Sequence, residues 1–336
     1  MHVVVARLDN DGDVLLTGPA VRAVAASGAD VTYLCRPAAA GAAALLPGVT
    51  GIRTFEAPWI SAPAPPVDAA AVGAFVADMA ALAPDQAVIM TSFHQSPLPL
   101  ALLLRLAGVP CIAAISEDYP GTLLDVRHRV PDDRHEVERN LSLVATLGYH
   151  LPAGDERRLA IVVPPGAGAR PSGEYVVIHP GASVPARSVP AALAVEVATA
   201  VLATGRQVVI TGGGREWAAD WPWPDGTINL AGATDLPALA GVLAGATAVV
   251  VGNTGPAHLA AAVGTPVVSV FAPTVPLAAW HPWGVPVVVV GDQDISCRHC
   301  RSRSCPILGQ PCTAAVSAGD ILAALDQIAP TPRAAA

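Results

Sequence analysis

Val251-Gly252-Asn253-Thr254-Gly255-Pro256-Ala257-His258-Leu259-Ala260 says more about the fold than any other stretch of the chain. A valine run ends at Gly252, a polar Asn-Thr-Gly turn follows, and Pro256 stands in what reads as the first turn of an alanine-rich helix, where proline is tolerated. A buried strand feeding a helix through a tight turn is half of a βαβ unit, and the helix start leaves N–H groups unpaired for an anion. His258 falls one turn inside that helix, either beside such an anion or as a structural core histidine.

The same punctuation runs outward in both directions. Towards the N-terminus, β-branched runs at 2–6, 31–35, 87–91 and 111–115 alternate with helical stretches at 18–27, 67–83 and 97–107, and a charged helix spans 133–147. From 151 to 173 the pattern dissolves into Pro, Gly and Arg. It then restarts, with strands predicted at 175–179, 207–211, 227–230, 248–251, 267–271 and 287–290 and helices at 191–204, 236–244, 256–263 and 318–328. Alternation of this kind predicts an α/β fold: two Rossmann-like, doubly wound domains facing each other across a cleft. The expected division is 1–155, a linker at 156–174, and 175–317, with the helix at 318–329 packing back on the first domain. Ligands in such folds sit beyond the carboxyl ends of the strands.

With 336 residues, 52% of them hydrophobic and only 14% charged, the chain can bury two cores and is not disordered. Its net charge of −8, with no lysine, argues against non-specific binding to nucleic acid or an anionic membrane. Membrane spans are not expected, because apolar runs such as 98–115 are broken by Pro99, Arg105 and Pro110. Nor does the N-terminal sequence read as an export signal, so a cytoplasmic location is expected, with cysteines as thiols or metal ligands before disulfides.

Asp9-Asn10-Asp11-Gly12-Asp13 follows the first strand. Three carboxylates in five residues are costly at a strand end unless they are solvated, bound to a cation or catalytic. A calcium loop is excluded, since the twelfth position from Asp9 is Ala20 rather than Glu. An Asp-x-Asp metal site and simple helix capping both remain. Gly12 suggests a sharp turn or a close approach.

In the second half, His179-Pro180-Gly181-Ala182-Ser183 continues through Arg187, offering a hydroxyl, free N–H groups and one guanidinium for a phosphate, or else a plain connector. Thr211-Gly212-Gly213-Gly214-Arg215-Glu216 lets backbone approach a ligand, with Glu216 placed to accept from a ribose hydroxyl, or it is only a turn. It is neither a dinucleotide fingerprint nor a Walker loop.

Cys297, Cys300, Cys305 and Cys312 form a C-x2-C-x4-C-x6-C cluster with His299 inside it. This spacing approximates a small structural zinc site, with a disulfide or packed thiols as the alternatives. Cys35 and Cys111, on predicted strands, read as core residues.

Taken in order, Arg7-Leu8-Asp9-Asn10-Asp11-Gly12-Asp13-Val14-Leu15-Leu16, the 179–183 loop, Asn229-Leu230-Ala231-Gly232 and the segment 253–262 resemble family 9 glycosyltransferases, the ADP-heptose:lipopolysaccharide heptosyltransferase-like enzymes. The resemblance spans about residues 2 to 328. It implies the GT-B architecture, with the acceptor on the N-terminal domain and an NDP-sugar, such as ADP-heptose, on the C-terminal one. It also implies inverting transfer with no required metal and no cofactor. By the same resemblance Asp13 is the general base and Gly12 lies beside it. Ser183, Arg187, Asn253, Thr254, Gly255, Pro256 and His258 fall in the family's donor-binding segments, and Thr211, Gly213 and Glu216 join them on the reading of their own loop.

The chain departs from the family pattern in three places. Arg187 stands where lysine is usual, Ser188-Val189 replaces an Arg-Trp pair, and Asn253 stands where many members have Asp. The acceptor, whether a glycan or a small molecule, would meet loops near 58–67 and 117–129, and peripheral contact with a membrane is left open. A sugar-nucleotide 2-epimerase on the same architecture and a non-catalytic nucleotide-sugar or solute-binding protein are the alternatives.

Overall fold

The computed structural model describes all residues except 62, 132, 167–170, 214–219 and 331–336. The chain divides into two compact units, Met1–Val162 and Val163–Ala336.

The first unit holds one parallel sheet of six strands: β1 (His2–Ala6), β2 (Asp30–Cys35), β3 (Gly51–Thr54), β4 (Gln86–Ile89), β5 (Cys111–Ile115) and β6 (Val126–His128), in the order β3-β2-β1-β4-β5-β6. The central strands are Val- and Ile-rich because helices cover both faces. Val4, Ala6, Ala87, Ile89, Ile112 and Ala114 point to one core, shared with Phe75 and Met79 of the helix Ala69–Leu82 and with Leu100 and Leu104 of Leu98–Leu106. Asp68 starts the first of these helices by accepting from the N–H groups of Ala70 (2.8 Å) and Ala71 (3.3 Å).

The second unit repeats the plan with β7 (Tyr175–His179), β8 (Gln207–Ile210), β9 (Ile228–Asn229), β10 (Ala248–Gly252), β11 (Val267–Val270) and β12 (Val287–Val290), ordered β9-β8-β7-β10-β11-β12. Both sheets therefore run 3-2-1-4-5-6, and in each the order reverses between the first and fourth strands. That switch point is where open α/β sheets bind ligands.

The helix Ala318–Ile328 departs from its expected place. Its Ile321, Ala324 and Leu325 are buried in the second unit's own core, together with Leu193, Ala194 and Val197 of the helix Ala191–Ala203. The apolar face expected to meet the first domain is taken up there. A capping box between Ser317 and Asp320 fixes the helix start. Among the described residues one stretch, Pro185–Ala203, is long and apolar enough to cross a bilayer. Its Leu193, Ala194, Val197, Ala198 and Val201 line that same core, which accounts for the apolarity.

Candidate active site

At the first unit's switch point the loop after β1 meets the loop after β4. Arg7, one residue beyond β1, is wholly buried, and each of its three nitrogens faces an oxygen. Nε lies 2.6 Å from Asp9 Oδ2, an ionic contact whose N–H is not aimed along the line between them. Nη1 donates to Glu136 Oε2 at 2.9 Å. Nη2 donates to Ser92 Oγ at 2.8 Å and to Asp13 Oδ1 at 3.1 Å. Glu136 opens the helix Glu136–Ala145 and is also paired with Arg139, Nε to Oε1, at 3.2 Å. Asp9 in turn accepts from the Gln95 side-chain amide.

Burial disfavours the charge on Arg7, but Asp9, Glu136 and Asp13 outweigh it and hold the guanidinium above its ordinary value. Burial also pushes the Asp9 and Glu136 carboxyls upward, against the pull of Arg7. The cation around which these carboxylates gather is thus an arginine of the chain itself.

The three N-terminal aspartates part ways. Asp9 goes into the network. Asp11 begins a five-residue helix, Asp11–Leu15, with Asn10 at its N-cap making no side-chain cap. Asp13, on that helix beside the buried Gly12, keeps its side chain 21% exposed. Its Oδ2 has no protein partner among the described residues, so Asp13 alone of the three joins the network and still faces outward.

In the second unit, the loop after β7 and the turn after β10 meet at the equivalent point. A Cβ on Gly252 would lie 1.9 Å from the Arg187 carbonyl oxygen, so only glycine lets the turn Pro185–Arg187 close on the end of β10. Arg187 Nε donates to Thr274 Oγ1 at 3.0 Å. Thr254 is the N-cap of Gly255–Ala262 without a side-chain cap bond, and Pro256 lies in the first turn. His258 is buried, and its Nδ1 has no hydrogen-bond partner among the described residues. Burial first, then the nearby His281 and Arg187, push its pKa down to about 4.

Two of the expected ligand contacts have partners within the protein. Thr211 is fully buried and its hydroxyl shares a 3.0 Å hydrogen bond with His179 Nδ1, whose pKa burial lowers to about 4. Asn253 donates from Nδ2 to the Ala272 carbonyl (3.0 Å) and accepts at Oδ1 from the Ala272 N–H (3.2 Å). Its amide ties β10's exit to β11's. Ser183 is exposed, its carbonyl 3.4 Å from Arg303 Nη2; Gly213 is exposed with open space at its Cβ position. Glu216 lies outside the described residues.

The four C-terminal cysteines are free thiols that line one cavity of about 20 Å³ together with Ala186 and Thr274. Among the described residues no three His, Cys, Asp or Glu side chains are arranged to hold a metal ion. What this loop does visibly is brace the Arg187 turn. Ala186 N–H donates to the Arg303 carbonyl (2.9 Å), Gln310 Nε2 donates to the Ala186 carbonyl (2.9 Å), and Arg301 N–H donates to the Thr274 carbonyl (2.9 Å).

The sequence matches the model of glycosyltransferase family 9 (heptosyltransferase) over residues 94–310, more than half of its length. The chain belongs to glycosyltransferase family 9. Among curated proteins the sequence finds no match. Among solved structures, the transferase is similar to a family 9 glycosyl transferase from Veillonella parvula DSM 2008 (15% identity, 97% of this chain and 96% of that one covered, TM-score 0.76). It is also similar to the E. coli heptosyltransferase WaaC with ADP-2-deoxy-2-fluoro heptose (22%, 97% and 99%, 0.72) and to E. coli ADP-heptose lps heptosyltransferase II (18%, 98% and 98%, 0.71). These likenesses establish the fold, that of GT-B glycosyltransferases.

The family resemblance pointed to Asp13, and nothing in the reading of the transferase's sequence assigned a role to Arg7, Ser92, Gln95, Glu136 or Thr274. The available signal was Arg7 itself, a charge directly abutting the apolar run 3–6 of the central strand, which needs buried partners from elsewhere in the chain.

Proposed function

We propose that the enzyme moves a heptose-type sugar from ADP-heptose to an acceptor hydroxyl, inverting the anomeric centre and requiring no metal. Membership of the heptosyltransferase family supports the donor class. So does similarity to an ADP-heptose heptosyltransferase and to one solved with a fluorinated analogue of that sugar nucleotide. The observation that carries the mechanism is Asp13, held by one oxygen and open at the other.

A sugar hydroxyl is a weak nucleophile. As its oxygen bonds to the donor's anomeric carbon, Asp13 Oδ2 takes the proton. The bond from that carbon to the diphosphate oxygen breaks, the electron pair leaves with ADP, and single displacement inverts the centre. Charge developing on the leaving diphosphate is met by Arg187 and by the N-terminal turn of Gly255–Ala262, with Ser183 and Thr254 as hydroxyl donors. His258, uncharged at neutral pH, offers a hydrogen bond and not a cation. Loops at 58–67 and 117–129 shape the acceptor side, and the cytoplasm, where nucleotide sugars are made, is the compartment that suits this donor.

The test is NDP release with ADP-, UDP-, GDP- and dTDP-sugars over a panel of glycan and small-molecule acceptors, with and without EDTA. ADP-heptose is expected to support turnover unaffected by the chelator. Asp13→Asn is expected to lower kcat by about 100-fold or more while ADP still binds. Full activity in Asp13→Asn would remove the proposed base.

A further inference from the structure

We infer that Arg7 is the positioning residue for the base: a fixed guanidinium that holds Asp13 by Oδ1 so that Oδ2 is the oxygen presented to the acceptor hydroxyl. The inference rests on the reading of Asp13 given above.

A guanidinium is planar, and its N–H directions are fixed relative to one another. Here Nε faces Asp9, Nη1 is bonded to Glu136, and Nη2 is shared by Ser92 and Asp13. The partners are themselves tied down, Glu136 by Arg139 and Asp9 by Gln95. With Arg7 wholly buried among them the ring of contacts leaves it no second orientation. Asp13 is the member least held by its own surroundings. It sits on a helix of five residues and its side chain is partly exposed. The single strong anchor on that carboxylate, among the described residues, is Arg7 Nη2.

Fixing one oxygen of a carboxylate fixes its plane, and with it the direction in which the other oxygen accepts a proton. Misplacing a reacting group by about an ångström costs rates on the order of 100-fold. A merely structural Arg7 would instead lower stability and leave the chemical step of the folded fraction unchanged.

The experiment measures ADP release from ADP-heptose in buffer, where water takes the acceptor's place, for the full chain and for Arg7→Gln, Arg7→Lys, Ser92→Ala, Asp13→Asn and the Arg7→Gln/Asp13→Asn pair. Circular dichroism reports folding and calorimetry reports ADP affinity. Arg7→Gln is expected to lose about 10- to 100-fold in kcat, with KM for ADP-heptose and ADP affinity within about twofold of the parent. Arg7→Lys, which keeps the charge but not the fork, should fall between the parent and Arg7→Gln. The double variant is expected to be no slower than Asp13→Asn alone, since Arg7 acts only through that carboxylate.

If the Arg7 variants do not fold, Ser92→Ala decides: a loss of roughly 3- to 10-fold in kcat at unchanged KM supports the inference, and a full rate overturns it. A folded Arg7→Gln enzyme at full kcat, or defects that multiply in the double variant, also overturns it. A fully active Asp13→Asn enzyme overturns the base itself, a failure seen in that single variant irrespective of Arg7.

Discussion

At the scale of single residues, Asn253 shows how one atom can decide an assignment. Its amide faces both the N–H and the carbonyl of Ala272. An aspartate there could accept from the N–H, but its second oxygen would oppose a carbonyl with no proton between them. Asn253→Asp is therefore expected to destabilise the second unit by about 1–3 kcal/mol, read from urea unfolding. The family pattern made this position look like a weakened donor contact; the geometry makes it a clasp between two strand ends. Three carboxylates at a strand end demanded an explanation, but only the family resemblance singled out Asp13 among them. Thr211 was ambiguous, because a hydroxyl after a strand reads alike whether it faces a ligand or a buried histidine such as His179.

At the scale of elements, the strands with uninterrupted β-branched runs were legible, and β1, β5, β7 and β12 begin and end where the sequence places them. β3 and β6 were not. Both are short sheet edges carrying Arg53 and Thr54, or Arg127 and His128, in positions that are not fully buried, so they show neither an apolar run nor a clear alternation. The turn Pro185–Arg187 illustrates dependence between elements. Its carbonyl at Arg187 leaves no space for a side chain on Gly252. Because the obstructing atom is backbone, Gly252→Ala must displace the turn. It is expected to weaken ADP binding by about tenfold or more with the rest of the second unit still folded, a result that calorimetry beside circular dichroism would read. Residues 297–312 brace the same turn through the Arg303 carbonyl and the Gln310 side chain. No spacing rule for cysteines would have shown this, because those bonds come from the residues between the thiols.

At the scale of the whole chain, acid should act on the second unit through its buried histidines. His179 and His258 have folded pKa values of about 4, against 6.5 when free. The unfolded chain therefore takes up their protons first. Stability from these groups is complete above about pH 6.5 and is lost as the pH falls towards 4, at a slope approaching 1.4 kcal/mol per pH unit for each histidine. Urea titrations between about pH 4.5 and 7.5 should show that slope, and His179→Asn should remove about one proton's share of it. Asp9 and Glu136 in the first unit act in the opposite sense, since burial raises their carboxyls and protonation on acidification favours their folded form.

The buried ring around Arg7 also has a consequence for biosynthesis. Its oxygens come from positions 9, 13, 92 and 136, so a nascent chain that has emerged only through β6 already carries Asp9 and Asp13 against the charge but leaves Nη1 without its acceptor. The last bond of the ring therefore forms only after Glu136 has left the ribosome, which makes the start of that late helix the latch on a domain whose opening strand was translated first.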